Sequence, residues 1–243
     1  MISAVAQTLV LLHGFTHTGQ SWEPVAQALG ERYRPIAPDL RGHGAASELE
    51  PVALEPVLAD IERLSTESFV LAGYSMGGRL ALHFALARPQ RVTRLVLIGA
   101  SPGIAEDSER EARLLDDERL AAELQRGSIE DFARRWARTP VLADQPLEVQ
   151  ARVHADRLRN DPQGLARALR GLGTGALPPL WERLGDLGLP VLLIVGERDR
   201  KFAQIAQEMA RALPDARLEV VPGAGHAVHL EQPGAVAALI AGP

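Results

Sequence analysis

The chain has 243 residues, a length sufficient for one domain with a large core, and we expect a single domain over residues 1–243. Its hydrophobic share of 46% and charged share of 23% exclude a disordered or fibrous protein. The net charge of -5 gives no electrostatic basis for binding nucleic acid or an anionic membrane, and the lack of cysteine excludes a disulfide scaffold and a thiolate metal site.

The N-terminal stretch has no basic region, and its apolar run reaches His13 and Gly14 before it is long enough for a signal peptide or a membrane span. We therefore expect a cytoplasmic protein whose partner is a small molecule. Neither a membrane nor a nucleic acid is expected as a partner, and neither a metal nor a cofactor is expected in the site.

Short apolar runs bounded by glycine or proline recur along the chain and predict buried strands. They are TLVLLH (8–13), RPIAPD (34–39), FVLAG (69–73), RLVLIG (94–99), PVLLIVG (190–196) and RLEVVPG (217–223). These runs do not alternate with polar residues, which is typical of strands covered on both faces. The sequence therefore predicts an α/β protein, with a mostly parallel central sheet flanked by helices.

The pattern changes between residues 101 and 185, where charged amphipathic helices replace the strand-like runs. This segment follows the fourth predicted strand and precedes the fifth, so it should lie above the carboxyl ends of the strands, where open α/β sheets bind ligands. We interpret residues 101–185 as a helical lid insertion within the same domain and call them the lid segment.

The motif Gly73-Tyr74-Ser75-Met76-Gly77 is a G-x-S-x-G that directly follows a predicted strand and directly precedes a predicted helix. A sharp turn of this kind holds a serine in a strained conformation and needs glycine where side chains would collide. The helix N-terminus also favours a developing negative charge beside the serine. Ser75 is therefore the predicted nucleophile or base.

A serine hydroxyl needs a histidine to accept its proton, and the histidine needs a carboxylate to fix its tautomer. Asp199 and His226 each follow a predicted strand, in the chain order serine, acid, histidine. His229 is the alternative histidine, but it lies beyond the turn in a helix-like stretch, and we interpret it as structural. The predicted catalytic residues are therefore Ser75, Asp199 and His226.

The motifs HGF (13–15), PDLRGHG (38–44), GYSMGG (73–78), GERD (196–199) and GAGH (223–226) resemble the α/β-hydrolase superfamily over essentially the whole chain. The resemblance implies an oxyanion hole formed by the backbone N–H groups of Phe15 and Met76, with His13 as a hydrogen-bonding brace. Because the first strand begins close to residue 8, the sheet should be shortened at its N-terminal edge.

A narrower resemblance is carried by GYSMGGRLAL, SPGIAEDSEREARLLDDERLA, RGLGTGALPPLW, GERDRKF and PGAGHAVHLEQP. These segments resemble the menaquinone-pathway family of 2-succinyl-6-hydroxy-2,4-cyclohexadiene-1-carboxylate synthases, often called MenH. The resemblance implies a carbon-oxygen lyase that eliminates pyruvate from 2-succinyl-5-enolpyruvyl-6-hydroxy-3-cyclohexene-1-carboxylate. Ser75 would abstract a ring proton, so that no acyl-enzyme forms.

That substrate carries three carboxylates, which arginine binds well through its bidentate geometry. Arg79 lies one helical turn after Ser75, so both side chains should share a helix face. The family resemblance adds Arg113 and a third arginine of the segment DRLRN, where Arg157 is the choice and Arg159 competes. It also implies that two aromatic residues line the pocket, Tyr74 and Trp136. For each arginine, a solvated helix face is the alternative interpretation.

Two other functions remain open at this point. The first is a carboxylesterase or carbon-carbon bond hydrolase that uses Ser75 as a covalent nucleophile. The second is a non-enzymatic protein that binds a small ligand on the same fold, although such a protein has no need of the pair Asp199 and His226.

Overall fold

The computed structural model describes residues 6–140, 142 and 145–242. It contains one six-stranded sheet in the order β2-β1-β3-β4-β5-β6, in which every neighbouring pair of strands is parallel. The strands are β1 (Gln7–Leu12), β2 (Tyr33–Ile36), β3 (Phe69–Tyr74), β4 (Val92–Ile98), β5 (Val191–Gly196) and β6 (Ala216–Val221). The six predicted strands and the parallel sheet are confirmed.

The apolar runs are buried because helices cover both faces of the sheet. Along β1, Val10 and Leu12 point into one core while Leu9 and Leu11 point into the other, as the two-residue period of a strand requires. The two edge strands β2 and β6 are more exposed than the four inner ones. The prediction that the sheet is shortened at its N-terminal edge concerns residues before β1, and residues 1–5 lie outside the described part of the chain.

The helices divide between the two faces of the sheet. One core contains side chains of α2 (Leu54–Arg63), α3 (Met76–Ala87) and α8 (Arg200–Ala212). The opposite core contains side chains of α1 (Glu23–Leu29), α10 (Pro233–Ala241) and the four-residue α9 (Val228–Glu231). No helix in the described part of the chain is long and apolar enough to cross a bilayer.

The described part of the lid segment contains four α-helices, which lie between β4 and β5: α4 (Asp107–Arg126), α5 (Ile129–Trp136), α6 (Leu147–Arg157) and α7 (Pro162–Leu172). A small apolar core of their own joins α4, α5 and α7 through Leu124, Phe132 and Leu165. Positions 141, 143 and 144 of the predicted lid segment, and positions 1–5 and 243 of the predicted domain, lie outside the described residues.

Because all strands are parallel, the turns that follow them meet at one edge of the sheet. Ser75 follows β3, Asp199 follows β5 and His226 follows β6. The loop after β1 (residues 13–18) ends at the same edge. The fold therefore brings the predicted catalytic residues within reach of one another.

Candidate active site

Ser75 lies in a strained turn between β3 and α3. Its φ of 51° is in the left-handed region, which residues with a side chain rarely adopt. A Cβ atom on Gly73 would lie 2.4 Å from the carbonyl oxygen of Gly77, and one on Gly77 would lie 2.3 Å from that of Leu12. The glycines of the motif are therefore required by the close approach of three backbone segments.

The side chains of Ser75, His226 and Asp199 form a hydrogen-bonded chain. The Nε2 atom of His226 lies 3.3 Å from Ser75 Oγ, and its Nδ1 atom lies 2.6 Å from Asp199 Oδ2. Asp199 is only 7% exposed, and its other carboxylate oxygen accepts a hydrogen bond from the amide of Phe202. With Nδ1–H donating to the carboxylate, Nε2 is free to accept the serine proton.

The backbone N–H groups predicted for the oxyanion hole belong to segments close to Ser75, since a Cβ atom on Gly14, next to Phe15, would lie 3.5 Å from the Ser75 Cβ. Met76 is the first residue of α3, so its N–H group has no acceptor within the helix. Phe15 belongs to the loop after β1, next to Thr16, whose φ of 71° turns the chain sharply. Phe15 and Ser75 both line the same cavity.

His13 holds this loop in place, as the sequence predicted. Its Nδ1 atom is 2.9 Å from the carbonyl oxygen of Gly14, and its Nε2 atom accepts a hydrogen bond from the amide of Leu40 at 2.9 Å. Burial lowers the pKa of His13 to about 4, so the ring is neutral at physiological pH. A neutral ring can donate at one nitrogen and accept at the other, as both contacts require.

A cavity of about 530 Å³ opens in front of Ser75. Seven of the predicted site residues contribute to its wall: Phe15, Tyr74, Ser75, Arg79, Arg113, Trp136 and His226. The lid segment supplies Arg113 from α4 and Trp136 from α5. Within the described residues, no group of three histidine, aspartate or glutamate side chains is arranged to hold a metal ion.

The two aromatic residues occupy different parts of the wall. The Tyr74 ring is buried and packs against His226 and His229, with ring centroids 5.2 and 4.3 Å apart. Burial also raises the pKa of Tyr74, so its hydroxyl stays protonated. Trp136 packs against Phe15 at 5.4 Å and so joins the lid segment to the loop after β1.

Arg79 and Arg113 bring positive charge to the cavity. Arg79 is 6% exposed and donates one hydrogen bond to the carbonyl oxygen of Leu172, while its Nε atom has no partner among the described residues. Burial, together with the charge of Arg113, lowers the pKa of Arg79 to about 10, which leaves it charged at neutral pH. Arg113 is more open and pairs with Asp117 at 2.8 Å.

The third predicted arginine is not on the cavity wall. Arg157 is 1% exposed and lies behind the loop after β1, where its Nε atom donates to Thr16 Oγ1 at 3.3 Å. Arg159, the alternative, is exposed and lines a separate, smaller cavity. The assignment of Arg157 stays a prediction: its guanidinium lies near the wall residue Tyr74, and its buried Nη2 atom has no hydrogen-bond partner among the described residues.

The sequence missed several wall residues or left them without a role, and three of them carry polar groups of interest. Lys201, the only lysine of the chain, lines the cavity and forms no ion pair with any described residue. His17 lines the cavity next to Tyr74, and Trp181 anchors its rim by donating to the carbonyl oxygen of Gly103 at 3.0 Å. A signal for His17 was present, because it lies in the same loop as the predicted oxyanion-hole residue Phe15.

His229, which was interpreted as structural, is fully buried and does not line the cavity. Its ring lies between Tyr74 and Trp22, with a centroid distance of 4.6 Å to the latter. Neither ring nitrogen has a hydrogen-bond partner among the described residues. His226 is therefore the histidine that faces Ser75.

Comparison with known proteins identifies the family to which the chain belongs and several similar proteins. A family model described as "Alpha/beta hydrolase family" matches residues 9–239. A "Putative 2-succinyl-6-hydroxy-2,4-cyclohexadiene-1-carboxylate synthase" of Bacillus subtilis (strain 168) is 40% identical over 238 residues, covering 94% of this chain and 86% of the relative. The synthase of Salmonella heidelberg (strain SL476) is 32% identical, covering 95% of this chain and 91% of the relative.

Two solved structures are also similar. MenH from S. aureus superposes with a TM-score of 0.93 at 33% identity, covering 99% of this chain and 94% of that one. A thermophilic esterase from Thermogutta terrifontis with bound malate superposes with a TM-score of 0.86 at 28% identity, covering 98% and 89%. The same fold is thus shared by a synthase and an esterase.

Proposed function

The chain belongs to the alpha/beta hydrolase family and, within it, to the family of 2-succinyl-6-hydroxy-2,4-cyclohexadiene-1-carboxylate synthases, and we propose that it catalyses this synthase reaction. It acts as a lyase that releases pyruvate from 2-succinyl-5-enolpyruvyl-6-hydroxy-3-cyclohexene-1-carboxylate, a step of menaquinone biosynthesis. Ser75, His226 and Asp199 are its proposed catalytic residues.

The reaction begins with transfer of the Ser75 hydroxyl proton to Nε2 of His226, which the Asp199 carboxylate stabilises as it becomes positive. Ser75 Oγ then takes the proton from the ring carbon that bears the succinyl group. The electron pair moves onto the succinyl carbonyl oxygen, which accepts hydrogen bonds from the N–H groups of Phe15 and Met76.

The second half of the reaction expels the leaving group. As the carbonyl re-forms, a double bond forms between C2 and C3, the existing one shifts to C4 and C5, and the bond from C5 to the enol ether oxygen breaks. The leaving enolate gains a proton and becomes pyruvate, while Ser75 and His226 return to their initial protonation states. The hydrolase residues thus serve proton abstraction, and no acyl-enzyme is needed.

The observation that carries the proposal is the positive charge on the wall that also holds Ser75 and His226. Arg79 and Arg113 can bind two substrate carboxylates. Lys201 is a further cation on this wall and could bind the third carboxylate, the role for which Arg157 was predicted. An ester pocket has no need of three cations beside its nucleophile.

The aromatic residues and the lid segment complete the proposed site. Tyr74 and Trp136 would cover the faces of the substrate ring from opposite parts of the wall. Because Arg113 and Trp136 come from the lid segment, this segment would help to exclude water from the reacting ring.

The test is to measure pyruvate release through a coupled dehydrogenase, with substrate made in situ by the preceding pathway enzyme. Release well above the uncatalysed rate is expected for the wild type, with a loss of about 1,000-fold or more in Ser75→Ala. The matched control is Ser108→Ala, which alters an exposed serine of α4. No release above background by the folded wild type would contradict the proposal.

An esterase is the second candidate, favoured by the triad geometry and by the similarity to the Thermogutta terrifontis enzyme. It predicts a burst of product from simple aryl esters as Ser75 becomes acylated. Rapid turnover of such esters, without pyruvate release, would replace the lyase by the esterase. Ligand binding with no reaction that depends on Ser75 would instead favour a binding protein.

A further inference from the structure

A second histidine-aspartate pair lies at the cavity, outside the proposed catalytic residues. His17 Nδ1 is 3.0 Å from Asp156 Oδ2, although the two residues are 139 positions apart in the chain. His17 is 2% exposed and Asp156 is 8% exposed. The pair joins the loop after β1 to the end of α6 and has no part in the mechanism above.

The surroundings of Asp156 fix the tautomer of His17. The same carboxylate accepts hydrogen bonds from the backbone amide of Thr18 at 3.1 Å and from its hydroxyl at 2.5 Å. Burial raises the pKa of Asp156, but the hydrogen bonds from His17 and Thr18 together lower it below its usual value, so the carboxylate stays ionised and acts only as an acceptor. His17 Nδ1 must therefore carry the hydrogen. Burial lowers the pKa of His17, which keeps the ring neutral and leaves Nε2 with a free lone pair.

The position of the ring directs this lone pair to the main cavity. His17 lines both the main cavity and a smaller one of about 210 Å³, whereas Asp156 lines only the smaller one. The Nδ1 edge of the ring thus faces the smaller cavity, and we infer that the Nε2 edge faces the main cavity. His17 Nε2 makes no hydrogen bond with any described residue.

The donors and acceptors of the proposed substrate indicate which of its groups can donate a hydrogen bond to His17 Nε2. The carboxylates, the succinyl carbonyl and the enol ether of the proposed substrate are acceptors only, so the ring hydroxyl is its single donor. The cations on the wall, Arg79, Arg113 and Lys201, can only donate. Among the described wall residues, Glu109 carries the one carboxylate, but it is exposed on α4 and accessible to water.

We propose that His17 is a substrate-positioning residue whose Nε2 atom accepts a hydrogen bond from the ring hydroxyl, with Asp156 holding the ring in the tautomer that makes this possible. The proposal rests on the proposed lyase function and adds a residue that recognises the 6-hydroxy group. A buried acceptor without its donor is destabilised, so the site would discriminate against ligands that lack this hydroxyl.

The loop that carries His17 is held firmly enough for such a role. Asn160 donates to the carbonyl oxygen of Thr16 at 2.9 Å, and Arg157 donates to its hydroxyl. Ser21 Oγ donates to the carbonyl oxygen of Thr18 at 2.8 Å. The imidazole position is therefore set by α6 and the loop itself before any ligand binds.

The experiment compares two ligands that differ at the hydroxyl. One is the reaction product, and the other is 2-succinylbenzoate, its dehydrated aromatic counterpart. Dissociation constants are measured by calorimetry for the wild type, His17→Phe, His17→Gln and Asp156→Ala. The control is Ser21→Ala, which removes a hydrogen bond of the same loop but changes no residue of the main cavity wall.

The wild type is expected to prefer the hydroxylated ligand by about tenfold, which corresponds to about 1.4 kcal/mol. His17→Phe and Asp156→Ala should abolish the preference while 2-succinylbenzoate still binds as in the wild type. His17→Gln places an amide oxygen near the position of Nε2 and should restore part of the preference. Ser21→Ala should retain it.

Retention of the preference in His17→Phe would overturn the proposal. Equal weakening of both ligands, with no rescue by glutamine, would also overturn it, because His17 would then only brace the loop. The pyruvate assay of the wild type separates failure of the role of His17 from failure of the proposed lyase function. If the wild type releases pyruvate and the His17→Phe variant keeps the ligand preference, only the role of His17 is overturned. If the wild type releases no pyruvate and binds neither ligand, the proposed function is overturned as well.

Discussion

Arginine beside the proposed base distinguishes this site from that of an ordinary ester hydrolase. Arg79 lies on the first turn of α3 after Ser75 and is almost completely buried. Burying a guanidinium costs free energy, and among the described residues this one forms a single hydrogen bond, to the carbonyl oxygen of Leu172. A substrate carboxylate would supply the missing partner.

We predict that Arg79→Ala lowers kcat/KM for pyruvate release at least tenfold, a loss of about 1.4 kcal/mol of transition-state stabilisation. Arg79→Lys should lose less, because it keeps the charge but not the bidentate geometry. Steady-state kinetics with Arg88→Ala as control, an arginine just after the same helix, provides the measurement. An unchanged kcat/KM in Arg79→Ala would remove Arg79 from the site.

Buried histidines should make the protein sensitive to acid. Burial lowers the pKa of His13 to about 4 and holds that of His229 well below its usual 6.5. Between these lowered values and 6.5, the unfolded chain binds protons that the folded protein does not. The free energy of unfolding therefore falls as pH decreases below about 6.5, by at most about 1.4 kcal/mol per pH unit for each such group.

His229→Phe is predicted to reduce this acid sensitivity, because it removes one buried group that resists protonation. At pH 8 the variant should be at least as stable as the wild type, since the ring nitrogens of His229 form no hydrogen bond within the described part of the chain. Urea unfolding at pH 8 and pH 5.5 checks both statements, with His154→Gln on α6 as control. The same loss of stability in variant and wild type would contradict the role assigned to His229.

The turns that follow β1, β3, β5 and β6 determine the site at the level of secondary structure elements. Each turn was predictable from an apolar run followed by glycine and a reactive residue, as in G-x-S-x-G after β3. The packing of α3 against β1 requires Gly77, where a Cβ atom would meet the carbonyl oxygens of Leu12 and His13 at 2.3 and 2.5 Å.

Gly77→Ala is therefore predicted to lower the free energy of unfolding by about 2 kcal/mol or more, because backbone atoms of β1 cannot move aside easily. Activity should fall with it, since β1 leads into the loop that carries Phe15. Gly234→Ala in α10 is the matched control, because its Cβ would meet no atom within 4 Å. The free energies of unfolding are measured with denaturant for both variants. Equal stability of the two variants would contradict the claim that the close approach of β1 requires glycine at position 77.

Contacts between residues far apart in the chain could not be predicted from the sequence. Arg157 at the end of α6 donates to Thr16 Oγ1 in the loop after β1, a contact that no local spacing predicts. The pairing of His17 with Asp156 likewise depends on how the lid segment packs on the loop after β1, and no local pattern encodes that. Periodicity identified the helices of the lid segment but not the face that each turns to the cavity.

For the whole molecule, the order of the parallel strands and the position of the lid segment together define the cavity. The fold followed from the sequence because buried strands are continuous apolar runs, and the family followed from motifs at their ends. The net charge of -5 opposes the approach of a tricarboxylate, so its recognition must come from cations concentrated on the cavity wall.

The central claim is that a hydrolase-like triad serves here to abstract a carbon-bound proton. Its most direct test compares the rate of pyruvate release from normal substrate with the rate, in a separate reaction, from substrate with deuterium at the ring carbon that bears the succinyl group. The account predicts that the deuterated substrate reacts more slowly and that intact-mass spectra of the enzyme during turnover show no acyl adduct. Equal rates together with an acyl adduct on Ser75 would contradict it and assign the site to covalent hydrolysis.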